Sequence, residues 1–179
     1  MGIKKAVLGV AVLGALLLGT TAAFGATAHS APAGGAIKVF ATPGNGATGK
    51  IVITGAIGDS GTTTNVTKTG KPNSNGGFVK IKLRKGGFMV NSVALNKKLN
   101  SVKPSVNTTT CSFSASATAP VTLSDGTGLY AGISGKVKIT VSFAFLAPRT
   151  ASGQCNMKNS AKPLAQYQSI QGTGHVSFS

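Results

Sequence analysis

The chain has 179 residues and carries 18 Lys and Arg against 2 Asp and no Glu, a formal net charge of +16 at pH 7. So few carboxylates leave little from which to build acid–base or metal chemistry, and 2 Cys are too few for a cysteine-rich zinc framework. With 25 Gly, frequent Ser and Thr and few strong helix formers after the first residues, the composition points to strands joined by tight turns. Recurrent apolar alternation excludes a wholly disordered chain.

The first residues read as a secretory signal peptide. Lys4 and Lys5 form its positive end, Ala6 to Leu18 its apolar run, and Ala26-Thr27-Ala28 an A-x-A cleavage site before His29. Ala31-Pro32-Ala33 offers a second site. The apolar run is shorter than the roughly 20 residues of a spanning helix, so cleavage after Ala28 or Ala33 is expected. The product would be secreted to the extracellular space or cell surface, without a transmembrane segment. The chain divides into a signal peptide at 1–28, a flexible tail at 29–35 and a single β domain at 36–179. Without Lys4 and Lys5 the net charge is still +14. Such an excess favours polyanionic partners.

In chain order, Ala36 to Phe40 reads as a first strand, Lys50 to Thr54 as a second, and Thr62 to Lys68 as its hairpin partner. Phe78 to Lys85 alternates cleanly. Val79, Ile81 and Leu83 face one way; Lys80, Lys82 and Arg84 face the other. Gly86-Gly87 is placed as a two-residue hairpin turn into the strand at Phe88 to Leu95. A short helical turn is expected before Pro104. Thr109 to Ala117 alternates again, with Cys111, Phe113 and Ala115 on one face, and Ser124-Asp125-Gly126 is assigned to a turn.

The stretch Gly135 to Phe145 is the longest alternating run. Val137, Ile139, Val141, Phe143 and Phe145 share one face; Lys138, Thr140, Ser142 and Ala144 share the other. A strand of this length suits a barrel or a large sandwich. Tyr167 to Phe178 closes the chain as a glycine-bearing strand with Ile170, Val176 and Phe178 on one face and His175 on the other.

Chemistry-bearing groups are scarce. Cys111 and Cys155 are expected to form a disulfide, worth about 4 kcal/mol by loop-closure entropy. A metal site would lack ligands, with only His175 available to join the cysteines. Asp59 and Asp125 sit in glycine turns and read as turn formers, not as a catalytic pair. No Gly-x-Ser-x-Gly elbow is present. Gly44 to Gly49 spells G-x-G-x-x-G but precedes a strand, the wrong context for a dinucleotide site. With no Trp and 2 Tyr there is no stacking platform for single-stranded nucleic acid, so nucleic acid is not expected as a specific partner. No metal or cofactor is expected, and the inventory leans away from an enzyme.

Gly55-Ala-Ile-Gly-Asp59, Gly126-Thr-Gly-Leu-Tyr-Ala-Gly-Ile-Ser-Gly135 and Gly172-Thr-Gly-His-Val-Ser-Phe178 together resemble a group of exported actinobacterial β-proteins without an assigned function. The turn at Gly126 to Gly132, with the strand that follows, is also similar to that of the allene oxide cyclase and dirigent barrels. That likeness covers residues 125–146 and implies an eight-stranded antiparallel barrel with an apolar cavity, often trimeric. The carboxylates those barrels place in the cavity have no counterpart among the two turn aspartates here.

The expected architecture is therefore an all-β antiparallel barrel, with a β-sandwich as second choice, following an N-terminal signal helix. Two functions are expected from it. In the first, a secreted, non-enzymatic cell-envelope or extracellular protein associates with anionic surface polymers through Lys80, Lys82, Arg84, Lys85 and Lys138. In the second, the barrel binds, or isomerises, a small apolar ligand in an interior cavity lined by Val141, Phe143, Phe145 and Phe178.

Overall fold

A computed structural model describes residues 33–44, 48–158 and 160–179. The signal peptide read at 1–28 lies outside the described residues. The elements run β1 (Gly35–Thr42), β2 (Thr48–Gly55), β3 (Asp59–Val66), β4 (Phe78–Leu83), β5 (Gly86–Asn91), α1 (Val93–Ser101), β6 (Ser105–Asn107), β7 (Ser112–Gly128), β8 (Ser134–Leu146) and β9 (Ala165–Ser177). Gly35, assigned to the tail by sequence, is the first residue of β1.

Neighbouring strands follow the order β5-β4-β3-β2-β1-β9-β8-β7, and β5 pairs with β7 to close the ring. The result is an eight-stranded antiparallel barrel; β6 adds a short pairing outside the ring, on the first residues of β7. Closure removes the two free edges that an open sheet would expose. It also separates the fold from a sandwich of two open sheets.

Period-two patterning drives this closure. β1 is buried at Ile37, Val39 and Ala41, and β8 at Val137, Ile139 and Val141, while the residues between them face outward. Full burial of each Ile or Val contributes about 1.5–3 kcal/mol. On β9 the inward positions include Gly172, where a Cβ would collide with the Ile139 side chain. Glycine there lets β8 and β9 pack without crowding the interior.

Two turns differ from the sequence expectation. The β4–β5 hairpin turns at Arg84-Lys85, while Gly86 and Gly87 belong to β5. The glycines answer a different need: a Cβ on Gly86 would strike the carbonyl oxygen of Thr127 on β7. Gly86 thus permits close approach at the seam that closes the barrel, while a Cβ on Gly87 would strike the Ile81 carbonyl oxygen on β4. Ser124-Asp125-Gly126 is not a turn but a bulge in β7. Met89 pairs with Ser124 and Gly87 with Thr127, so the strand carries one extra residue there. Asp125 takes a positive φ of 54°, a conformation aspartate tolerates better than most residues. The true turn follows Gly128, where the N–H groups of Tyr130, Ala131 and Ile133 donate to the carbonyls of Thr127, Gly128 and Tyr130.

β7 is longer than expected, at 17 residues, and runs through Pro120. Beyond the β8 side, residues 115–121 have no paired strand among the described residues: β6 pairs with residues 112–114, and the pairing with β5 begins at Thr122 of β7. Proline is tolerated at such a half-paired position. The helical turn expected before Pro104 is α1, of 9 residues. Its Leu95 is buried and Leu99, one turn later, packs beside it, while Lys97 and Lys98 are exposed. The Asn91 side chain accepts from the Val93 N–H at 3.1 Å at the start of the helix.

Candidate functional site

Strand direction gives the barrel two unlike ends. At one lie the starts of β1, β3, β5 and β8 and the turn at Gly128 to Ile133. At the other lie the β3–β4 connection, α1 and the start of β9.

The first end is closed. Ile57, from the turn Gly55 to Gly58, and Ile133 join the core, and Tyr130 is fully buried with its ring edge-on to Phe88 at 6.1 Å. Asp59 lies beside them at 5% exposure. Its Oδ2 accepts from the Tyr130 hydroxyl at 2.7 Å and from the Lys85 N–H at 3.0 Å; its Oδ1 accepts from the Ser60 N–H at 2.7 Å. Arg84 Nε lies 3.4 Å from Oδ1. Burial alone would push the Asp59 pKa up, but these donors outweigh it and hold the carboxyl below its ordinary range. Burial, the hydrogen bond to Asp59 and its negative charge push the Tyr130 phenol upward. Asp59 is therefore a fully satisfied anchor that ties β3, the β4–β5 hairpin and the Tyr130 turn together. Turn chemistry alone does not describe it.

The other end opens into a cavity of about 520 Å³ within the barrel. That size falls in the range of small-molecule sites. Its deep wall is aliphatic, with Ile37, Val39, Ile53, Ile81, Val121 and Val137 among the contributors. Leu95 and Leu99 of α1 form part of its cover. Around the opening the lining changes to amides and hydroxyls: Asn65 on β3, Ser74 and Asn75 in the β3–β4 connection, Asn96 and Asn100 on α1, and Gln168 on β9. The Asn96 amide donates to the Gly76 carbonyl at 3.1 Å and the Ser92 hydroxyl to that of Gly77 at 3.2 Å, which pins α1 to the connection. Among the described residues, no lining side chain is ionisable.

Of the four residues assigned to a cavity by sequence, Val141 lines this one. Phe143 and Phe145 line a separate hollow with Met157 and Tyr167. They lie where β8 outruns the barrel, and Phe145 stacks on Phe113 with ring centres 4.6 Å apart. Phe178 packs against the main core after the end of β9 and is not part of the cavity wall. The wall comes chiefly from the shorter strands, whose inward Ile and Val read as ordinary core. The amide ring has no sequence signature, because its members are spread over four separate segments.

The disulfide between Cys111 and Cys155 is formed. It joins the start of β7 to the segment after β8 and lies beside Phe113, Phe145 and Ala147 in a second, smaller core.

The cationic residues fall on the outer surface. Lys80, Lys82 and Arg84 border a shallow groove whose lining includes Gly86, Gly87 and Thr127. Lys85 is exposed at the hairpin tip. Lys138 lies three strands away on β8, at the level of Lys38 on β1, both registering with Thr173 of β9. The structure thus brings four of the five predicted cations together and sets Lys138 in a different row.

Comparison with protein-family models, with curated proteins and with solved structures found no match to this chain.

Proposed function

We propose that this chain is a secreted, non-enzymatic barrel that holds one small apolar molecule. The observation that carries this reading is the cavity of about 520 Å³, closed at the Tyr130 end and open beside α1. An eight-stranded barrel has room for its own side chains or for one small ligand. Here the inward residues are mostly Ile and Val, and space remains between them. Among the described residues the wall supplies no general acid or base, which favours carriage over conversion.

The reading is tested with N-phenyl-1-naphthylamine, an uncharged probe that fluoresces in apolar surroundings. Saturable binding of one probe per chain is expected, and it should be lost in Ala41→Phe, which would fill the lumen at an inward position on β1. Absence of saturable binding, or equal binding by a folded Ala41→Phe chain, would refute it.

A second reading concerns the outside of the same barrel and is compatible with the first. The groove bordered by Lys80, Lys82 and Arg84 favours association with an anionic cell-surface polymer, as does the row Lys82-Thr62-Lys50 formed across β4, β3 and β2. The exposure of Lys80 and Lys82 supports it; Arg84 is paired with Asp59 at 3.4 Å and Asp125 is part of the groove's lining.

A further inference from the structure

We infer that the cavity selects an uncharged, elongated molecule: an apolar chain in the lumen and one hydrogen-bonding, non-ionic end, of alcohol, ester or amide type, at the amide ring. The inference rests on the carrier reading above and adds the chemistry of the ligand.

Three observations converge on it. First, the lining is divided lengthwise, aliphatic in depth and amide or hydroxyl at the opening. A molecule matched to that division is apolar for most of its length and polar at one end. Second, no lining side chain among the described residues is ionisable. A carboxylate or ammonium drawn into the lumen would be stripped of water with no countercharge to meet it, the situation that makes buried charges costly. Third, the amides of Asn65, Asn75, Asn100 and Gln168 make no side-chain hydrogen bond among the described residues, whereas that of Asn96 is engaged with Gly76. Each free amide offers both a donor and an acceptor. That pairing suits hydroxyl, ester and amide groups equally, and no single charge sign is favoured.

The lysines of this end compete for a different ligand. Lys68 and Lys71 in the β3–β4 connection and Lys97 and Lys98 on α1 are exposed, and none lines the cavity. A fatty acid whose carboxylate stayed outside near them is the alternative that the test must separate.

Displacement of N-phenyl-1-naphthylamine by 1-dodecanol, dodecanoate and dodecylamine at neutral pH makes the separation. Dodecanol should displace the probe at least tenfold more tightly than either charged analogue. Dodecanoate should gain affinity as pH falls through the ordinary carboxylic range of about 4–5. Asn65→Leu should weaken dodecanol three- to tenfold relative to the probe's own affinity for the same variant. Dodecanoate binding as tightly as dodecanol, with an affinity that salt weakens, would overturn the inference in favour of an anionic headgroup on the lysines. Unchanged dodecanol binding in Asn65→Leu would overturn the role of the amide ring. Probe binding that none of the three displaces would overturn the elongated shape. Failure of the probe itself to bind would instead remove the carrier reading beneath it.

Discussion

The hydroxyl of Tyr130 donates to Oδ2 of Asp59 across 2.7 Å, joining residues 71 positions apart at the closed end of the barrel. Neither side chain is left with an unsatisfied buried atom. The bond is made to a charged acceptor in a buried place, where such bonds are worth more than on the surface. Tyr130→Phe keeps the ring against Phe88 and removes only the donor. It should lower unfolding free energy by about 1.5–3 kcal/mol, measured by urea denaturation. A change below about 0.5 kcal/mol would show that the bond does not hold the end closed.

Acid should act chiefly through the same pair. Asp59 has a folded-state pKa below its unfolded value, so its contribution is present above the unfolded pKa of about 3.9 and lost as pH falls through the folded one. Asp59 and Asp125 are the only side-chain carboxylates in the chain. Thermal stability should therefore be nearly flat from pH 7 to 5 and decline below about pH 4. Asp59→Asn should start less stable and show a much shallower acid decline. An undiminished acid decline in that variant would move the titrating group elsewhere.

The Cys111–Cys155 bond closes a separation of 44 residues. Chain-entropy arithmetic gives it about 4 kcal/mol, with 2–4 typical of measured bonds. Replacing both cysteines by serine should lower the melting temperature by roughly 10 °C or more for a domain of this size. Probe binding should survive below the new melting temperature, because neither cysteine lines the cavity. Loss of binding in the folded variant would tie the disulfide segment to the opening.

Anionic-polymer binding should depend on where the cations are, not only on how many there are. Lys80→Ser with Lys82→Ser empties one wall of the groove; Lys97→Ser with Lys98→Ser removes the same charge from α1. The first pair should elute from a polyphosphate column at clearly lower salt than the second. Equal elution would reduce the effect to net charge.

Much of this architecture can be read directly from residue patterns. Alternation at Phe78 to Leu83 and at Val137 to Phe145 places β4 and β8, and the inward set of β8 is right as far as Val141. Alternation shows which face a residue occupies, not where the barrel stops along the strand. Phe143 and Phe145 keep the correct face and still miss the cavity, because the strand continues past its mouth. The two glycine motifs at Gly55 to Asp59 and Gly126 to Ile133 are legible as turns, but their purpose lies in a contact between them. Tyr130 finds Asp59 only after β3 and β7 have entered the same ring. The Gly86-Gly87 pair is misleading for a related reason: glycine marks both a turn and a close approach of strands, and only the position of β7 distinguishes them. The amide ring is a property of the assembled end and has no local pattern at all.

The first strand of the barrel pairs with the last. Gly35 registers with Val176, and the Ser179 N–H donates to the Gly132 carbonyl, so the chain comes in and leaves side by side at the Tyr130 end. The opening beside α1 points the opposite way. Gly35 and Ser179 thus both sit at the sealed base of the vessel, and neither crowds its mouth. A fluorescent label placed at Ser179 would therefore report on the base without obstructing entry at the mouth.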